Sequence, residues 1–309
     1  MDPIKFGEDL ARKADLARSL ATHKYDWPNL LDQSLVFIGM GSSAFAAQCI
    51  VTRLQASGID STFTLSSNPT PPRASQKKTL IAISSSGKSV ETIAAFENAD
   101  GYREKIWLTN ADSRGDATIS LNAGLELGGV ASLTYLATHI ALLRLGESLG
   151  CIDDVTSSVQ DAGAAIAEIH ETRDSWLPPL EDHINSSAGS FFIAPLDRLC
   201  NAQQSALMLR ESPRLPSVAC ETGDWSHVDV YLTKTLDYRA ILFPGSKWER
   251  QLFKWTRSRQ SRVLTIGFEH PDAATHLRYN SDSNPLVRLL AETTYAEILS
   301  QHLWVKKPN

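Results

Sequence analysis

At 309 residues the chain is long for a single core and comfortable for two, and its 42% hydrophobic and 21% charged content is that of a folded globular protein. A net charge of -5, with no basic run interleaved with aromatics, speaks against nucleic acid as a partner. No apolar stretch approaches the roughly 20 residues that span a bilayer, so no membrane segment is expected.

The first residues, Met1-Asp2-Pro3-Ile4-Lys5, lack the apolar core of a signal peptide. Cys49, Cys151, Cys200 and Cys220 show no C-x-x-C spacing, which indicates neither zinc nor a disulfide framework. A cytoplasmic protein without metal or cofactor is expected. Residues 5–22 carry a helical pattern (Phe6, Leu10, Ala14, Ala17, Leu20) that should pack outside the first sheet or against a partner.

Leu35-Val36-Phe37-Ile38 reads as a buried strand, and Gly39-Met40-Gly41-Ser42-Ser43 follows it into a helix from Ala44 to about Ala56. As a dinucleotide fingerprint this loop is poor. Its third glycine is missing, and no acidic residue closes the next strand, Ser61 to Leu65, which argues against NAD. A second loop of the same kind follows the strand Thr79–Ile83. Ser84-Ser85-Ser86-Gly87-Lys88-Ser89 leads into a helix running from Ser89 to Ala99. The first N–H groups of a helix have no internal acceptor and sit at the positive end of its dipole. Serine hydroxyls add donors, and glycine lets the backbone approach. Taken alone, either loop also reads as an ordinary turn with a Ser cap. Two of them at successive strand ends favour a small phosphorylated ligand.

Further strands are predicted near 104–109 and 118–121, then a helix from about Ser132 to Leu149, apolar on most sides and expected to be buried. Residues 152–182 read as a polar-faced helix ending at Pro178-Pro179, the connector between domains. Strands near 190–194, 239–243 and 262–267 then alternate with helices near 197–211, 247–258 and 284–304. Strand–helix alternation predicts an α/β fold with parallel sheets covered by helices on both faces. We divide the chain into two such units, 1–150 and 151–309.

The pair Gly-x-Gly-Ser-Ser and Ser-x-Ser-Gly-x-Ser-x-Glu-Thr resembles the sugar isomerase (SIS) domain, which binds phosphosugars. Asn122-Ala123-Gly124-Leu125-Glu126-Leu127-Gly128-Gly129-Val130-Ala131-Ser132 is similar to a segment in the isomerase half of glucosamine-6-phosphate synthase, with one extra glycine. The second half matches more faintly, through Ala206–Glu211 and Gly223-Asp224-Trp225-Ser226-His227. The resemblance implies two SIS-type units. Its phosphosugar contacts would fall at Gly41, Ser42, Ser43, Ser84, Ser85, Ser86, Ser89, Val130 and Ser132. It also implies a homodimer with shared active sites, each histidine serving the neighbouring subunit.

Glu211 ends a helical pattern just before Ser212-Pro213, where a carboxylate can move a proton between C1 and C2 of an open-chain sugar. His227 follows sixteen residues later, and an imidazole, which can both give and take a proton, suits ring opening. In the resembling synthase the matching Glu and His hold these roles. Read without the family, each is more often a solvated or capping residue. The synthase's lysines are replaced by Met208 and Thr134, and Lys306-Lys307-Pro308-Asn309 ends too early to supply its C-terminal lysine. With no glutaminase domain and Asp2 in place of a cysteine, glutamine-dependent amination is not expected. The second unit's Ala194-Pro195-Leu196-Asp197 lacks the glycines of a phosphate turn, so only the first unit should bind phosphate.

The function expected is that of an enzyme on a hexose or amino-sugar 6-phosphate, by aldose–ketose isomerisation or by deamination or deglycation. A non-catalytic sugar-phosphate-binding regulator is the alternative. Trp248, Phe253 and Trp255 beside Lys254, Arg257 and Arg259 read as an amphipathic helix with a basic outer side, in preference to a nucleotide-stacking face. Arg198, Arg210 and Arg214 are expected to form surface ion pairs unless they meet the sugar phosphate or a partner subunit.

Overall fold

The computed structural model describes residues 1–112, 117–267, 269–273 and 275–306. Helices α1 (Pro3–Ala11) and α2 (Lys13–Leu20) precede β1 (Ser34–Gly39), α3 (Ser42–Ala56), β2 (Ser61–Leu65), β3 (Lys78–Ile83) and α4 (Val90–Glu97). Strands β4 (Glu104–Thr109) and β5 (Thr118–Ser120) and helices α5 (Leu133–Ser148), α6 (Val155–Glu171) and α7 (Arg173–Ile184) follow. The remainder is β6 (Ser190–Ala194), α8 (Leu199–Glu211), β7 (Ser217–Glu221), β8 (Arg239–Leu242), α9 (Glu249–Ser258), β9 (Arg262–Ile266), β10 (Thr275–Leu277), α10 (Pro285–Ala291) and α11 (Thr293–Lys306).

The strands form two five-stranded sheets, ordered β2-β1-β3-β4-β5 and β10-β9-β8-β6-β7. Every pairing is parallel. Relabelled by position, both sheets have the order 2-1-3-4-5. The chain therefore leaves the centre in one direction and returns on the other side, creating a switch point between β1 and β3 and a second between β6 and β8. Helices can diverge at such a point and leave a crevice at the carboxyl ends of the strands, which is where α/β sheets bind ligands.

Two compact units contain these sheets: Leu16–Glu126 with Ala131–Ser157, and Met1–Asp15 with Leu127–Val130 and Ser158–Asn309. In the first, β1, β3 and β4 bury Val36, Ile38, Leu80, Ala82 and Trp107 against the apolar face of α4. Helix α5 is buried on nearly all sides, as its apolar sequence predicts. In the second, Phe191, Ile193, Trp225, Tyr238, Leu242 and Phe253 form the core.

The leading helical pattern of residues 5–22 is two helices, and α1 belongs with the second unit, where the Gln301 side-chain amide donates to the Pro3 carbonyl at 3.1 Å. Just beyond α1, Lys13 meets Glu297 at 2.5 Å, both buried. The connector is also two helices, and α7 continues through Pro178 and Pro179 instead of ending there. The prolines remove two helical hydrogen bonds, and burial of Trp176, Leu177, Leu180 and Ile184 offsets that loss.

Candidate functional site

Both serine-rich loops of the first unit leave the carboxyl ends of β1 and β3, the two strands that flank its switch point. After β1 the chain turns through Gly41 (φ 54°), and Ser42 and Ser43 are the first residues of α3. Neither hydroxyl is used as a cap: α3 has no side-chain cap hydrogen bond. Ser43 is buried and Ser42 half-buried.

After β3 the second loop is more tightly held. Ser84 is buried, and its N–H donates to the Leu108 carbonyl at 3.1 Å. The Ser85 carbonyl accepts from the Asn110 N–H at 3.0 Å, and Gly87 N–H closes the turn onto the Ser84 carbonyl at 3.0 Å. Gly87 is buried with φ 63°, a conformation that an L side chain would strain. Ser86 is exposed at the tip. Ser89 caps α4, its Oγ accepting from the Thr92 N–H at 3.3 Å, and Thr92 Oγ1 lies 3.0 Å from Ser66 Oγ. Beside α4 is a cavity of about 640 Å³ whose lining includes Ile38, Ser66, Arg73 and Glu91.

A third polar element meets the same sheet. Asn110, at the end of β4, donates to the Gly124 carbonyl at 2.7 Å and accepts from the Ala123 N–H at 2.9 Å, holding the 122–126 segment. Glu126 then caps α5: Oε1 accepts from the N–H groups of Ser132, Leu133 and Thr134 at 2.7, 2.6 and 3.1 Å. Burial pushes its carboxyl pKa up, and the Thr134 hydroxyl and these N–H donors pull it back toward the charged form. With the cap supplied by Glu126, the Ser132 hydroxyl is left buried and without a hydrogen-bond partner. Sequence reasoning assigned Glu126 no role. A glutamate six residues before a helix start was the available signal, and only the fold shows that it reaches back.

The extra glycine of this segment has a structural reason. Gly128 packs on α1 so closely that a Cβ would stand 2.5 Å from Phe6 Cα. Its N–H donates to buried Asp9 at 2.7 Å. Val130, 1% exposed, lies in the same Leu127–Val130 stretch, which belongs to the second unit.

In the second unit Glu211 is the last residue of α8, half-buried. His227 is exposed and follows a segment anchored by Trp225, which is fully buried and donates from Nε1 to Tyr238 Oη at 2.8 Å. Glu221 fixes the start of that segment, accepting from the N–H groups of Gly223 and Asp224 at 2.7 and 2.9 Å. Helix α8 is the crossover between parallel β6 and β7, so it ends at the amino edge of the sheet, whereas His227 follows the carboxyl end of β7. Five residues of strand span about 16 Å. Within one chain the two candidate catalytic residues therefore lie at opposite ends of β7.

The second switch point is already filled. The Glu249 carboxylate, buried at the start of α9, accepts from the N–H groups of Gly245 and Ser246 at 2.5 and 2.7 Å. Beside it Arg198 is not a surface residue: it is 1% exposed and pairs with Glu292 and the Pro244 carbonyl. Protein groups thus occupy the place that a ligand would take. Among the described residues no group of three or more His, Cys, Asp and Glu is arranged to hold a metal ion. Nor is any helix among them long and apolar enough to cross a membrane.

No family model matches the chain. A curated relative, the glutamine–fructose-6-phosphate aminotransferase (isomerizing) of Thermotoga maritima, is 25% identical over 217 residues, covering 64% of this chain and 35% of the relative. The C-terminal domain of the glucosamine–fructose-6-phosphate aminotransferase of Francisella tularensis superposes with a TM-score of 0.79 at 13% identity, over 98% of this chain and 96% of that one. In sequence and in fold this chain resembles the SIS-domain phosphosugar isomerases. The likeness is to the isomerase half of the aminotransferase, and the chain spans only about a third of the length of the full curated relative, 35%. A second SIS-fold structure, glucosamine-6-phosphate deaminase of Thermotoga maritima, superposes with a TM-score of 0.74 at 15% identity, over 98% of this chain and 95% of that one.

Proposed function

We propose that this SIS-domain protein is a cytoplasmic enzyme acting on a hexose or amino-sugar 6-phosphate through an open-chain enediol or enolamine. The observation that carries the reading is the placement of both serine-rich loops on the two strands flanking one switch point. Hydroxyls and first-turn N–H groups of Ser42, Ser43, Ser84, Ser85, Ser86 and Ser89 take the phosphate, with Gly41 admitting the backbone. Ser132 contacts the sugar, a task that its buried, unpartnered hydroxyl suits.

Glu211 transfers the proton between C1 and C2, and His227 opens the ring. Their positions at opposite ends of β7 agree with a homodimer in which His227 completes the neighbouring subunit's site. Isomerisation and deamination run through the same kind of enediol or enolamine intermediate, so one carboxylate serves either outcome. The division at 150/151 into a phosphosugar-binding half and a second half belongs to the same proposal.

A regulator that binds sugar phosphate without turnover is the second reading. It is favoured by Met208, fully buried where the synthase has a lysine, and by Thr134, whose hydroxyl is held by Glu126 at 2.6 Å. Solvent exchange separates the two. Hexose, hexosamine and fructosamine 6-phosphates are incubated with the protein in D₂O and followed by proton NMR. Deuterium at C1 or C2, or a new product, in wild type and not in Glu211→Gln establishes the enzyme. Binding without exchange establishes the regulator.

A further inference from the structure

Helix α9 and the turn before it carry two ribbons that the phosphosugar chemistry does not use. Lys247, Arg250, Lys254 and Arg257 follow one another at helical spacing, and Trp248, Gln251, Trp255 and Ser258 repeat it one position on. All eight line a single open depression of about 1030 Å³. The inward face of α9 is Leu252, Phe253 and Thr256, all buried. Phe253 thus belongs to the core and not to the outer aromatic set.

The two tryptophans differ. Trp255 is half-buried, and its ring is already approached by Arg259 at 4.4 Å and Lys254 at 5.5 Å. Trp248 is 51% exposed, which is unusual for the largest side chain. One edge of its indole rests on Gly223, where a Cβ would come within 2.9 Å of Cδ1. That contact fixes one edge of the ring, Lys247 Nζ stands 5.0 Å from its centroid, and about half of the residue stays open to solvent. Arg257 is paired with Asp272, whereas Lys247, Arg250 and Lys254 form no ion pair among the described residues. A half-exposed indole, with Lys247 over its ring, therefore stands beside three cations that form no ion pair among the described residues, on a chain of net charge -5.

We infer that the Trp248–Lys254 face of α9 binds a nucleoside di- or triphosphate, the base stacked on Trp248 and the phosphates along Lys247, Arg250 and Lys254. Base–aromatic stacking and charge-assisted phosphate contacts are the two interactions that this surface offers together. A single half-exposed indole matches a single base. From Arg250 to Lys254 the helix rises about 6 Å, which suits adjacent phosphates. A long nucleic acid would meet the net negative charge of the whole chain, whereas a free nucleotide meets chiefly these local cations. Stacking reads no base identity, so ADP stands for the class.

Isothermal titration with ADP, inorganic pyrophosphate, adenosine and a single-stranded oligonucleotide tests the site. ADP should bind at least about tenfold tighter than pyrophosphate or adenosine, since each of these keeps one of the two interactions. Trp248→Ala, Arg250→Gln and Lys254→Gln should each weaken ADP about tenfold, and Trp248→Phe should retain most of the affinity. These are exposed positions, and unchanged unfolding midpoints confirm that each variant folds. Ser86→Ala should leave ADP affinity unchanged, which separates this site from the sugar-phosphate loops. Equal affinity for ADP and pyrophosphate, loss of ADP binding in Ser86→Ala, no effect of the α9 variants, or an oligonucleotide bound tighter than ADP each overturns the inference.

Discussion

Glu126 holds Thr134 twice, accepting from its backbone N–H at 3.1 Å and from its hydroxyl at 2.6 Å. The same carboxylate takes the N–H groups of Ser132 and Leu133, so one side chain satisfies three orphan donors of α5. Glu126→Ala should cost about 2 kcal/mol in chemical unfolding, because those N–H groups lose their acceptor inside the protein. Glu126→Gln retains one oxygen and should cost less. Equal stability of all three proteins would contradict the capping role.

The serine loops differ in how their hydroxyls are engaged. Ser89 is committed to capping α4, whereas Ser42 makes no cap bond at α3 and Ser86 Oγ accepts from the Lys88 N–H at 3.2 Å on the exposed loop tip. Ser42→Ala and Ser86→Ala should each weaken sugar-phosphate binding about tenfold with little change in stability. Ser89→Ala should lower both affinity and stability, the latter by about 1 kcal/mol. Titration calorimetry beside denaturant unfolding reads the two effects separately.

Since Glu249 fills the anion position of the second switch point, one sugar phosphate should bind per chain, which the same calorimetry counts. Glu249→Ala leaves the N–H groups of Gly245 and Ser246 without their carboxylate and should destabilise the protein by about 2 kcal/mol. Two equivalent sugar-phosphate sites in the wild type would contradict this account.

Much of this architecture was legible because buried parallel strands leave continuous apolar runs. Leu35–Ile38 and Thr79–Ile83 mark β1 and β3 to within a residue or two. The strands that escaped notice are edges. β7, Ser217–Glu221, follows a proline-rich turn and has mixed exposure, and β10 is three residues long. Neither has a pattern that distinguishes it from loop. The serine loops were readable because their donors are local to one turn. Glu126, Glu249 and the Arg198–Glu292 pair were not, since each acts on a partner that only the fold brings near.

His183, buried, and His170, half-buried, make acid stability a further observable. Burial lowers the His183 pKa to about 4, with its Nε2 2.9 Å from the Ala240 carbonyl. His170 is likewise lowered to about 4, first by burial and then by the Lys13 charge. The unfolded chain takes up these protons near pH 6.5, whereas the folded chain does so only near pH 4. Stability contributed by the neutral imidazoles is thus complete above pH 6.5 and is lost as the pH falls toward 4. For His183 the loss is on the order of 3 kcal/mol. His183→Gln keeps a donor for Ala240 and should flatten the pH dependence of the unfolding midpoint between 6.5 and 4.

The separation of Glu211 and His227 by the length of β7 gives the most direct test of a shared site. Glu211→Gln and His227→Ala should each abolish turnover alone. If each site takes Glu211 from one subunit and His227 from its neighbour, a mixed dimer of the two variants contains one intact site and one doubly damaged site. Equal mixing after reversible dissociation makes about half the dimers mixed, each with one working site of two, so about a quarter of wild-type activity should return. A site built within one chain would leave every site in the mixture lacking one residue. Activity that stays at the background of the single variants, with subunit exchange verified by mass, would therefore place both residues in the same subunit's site.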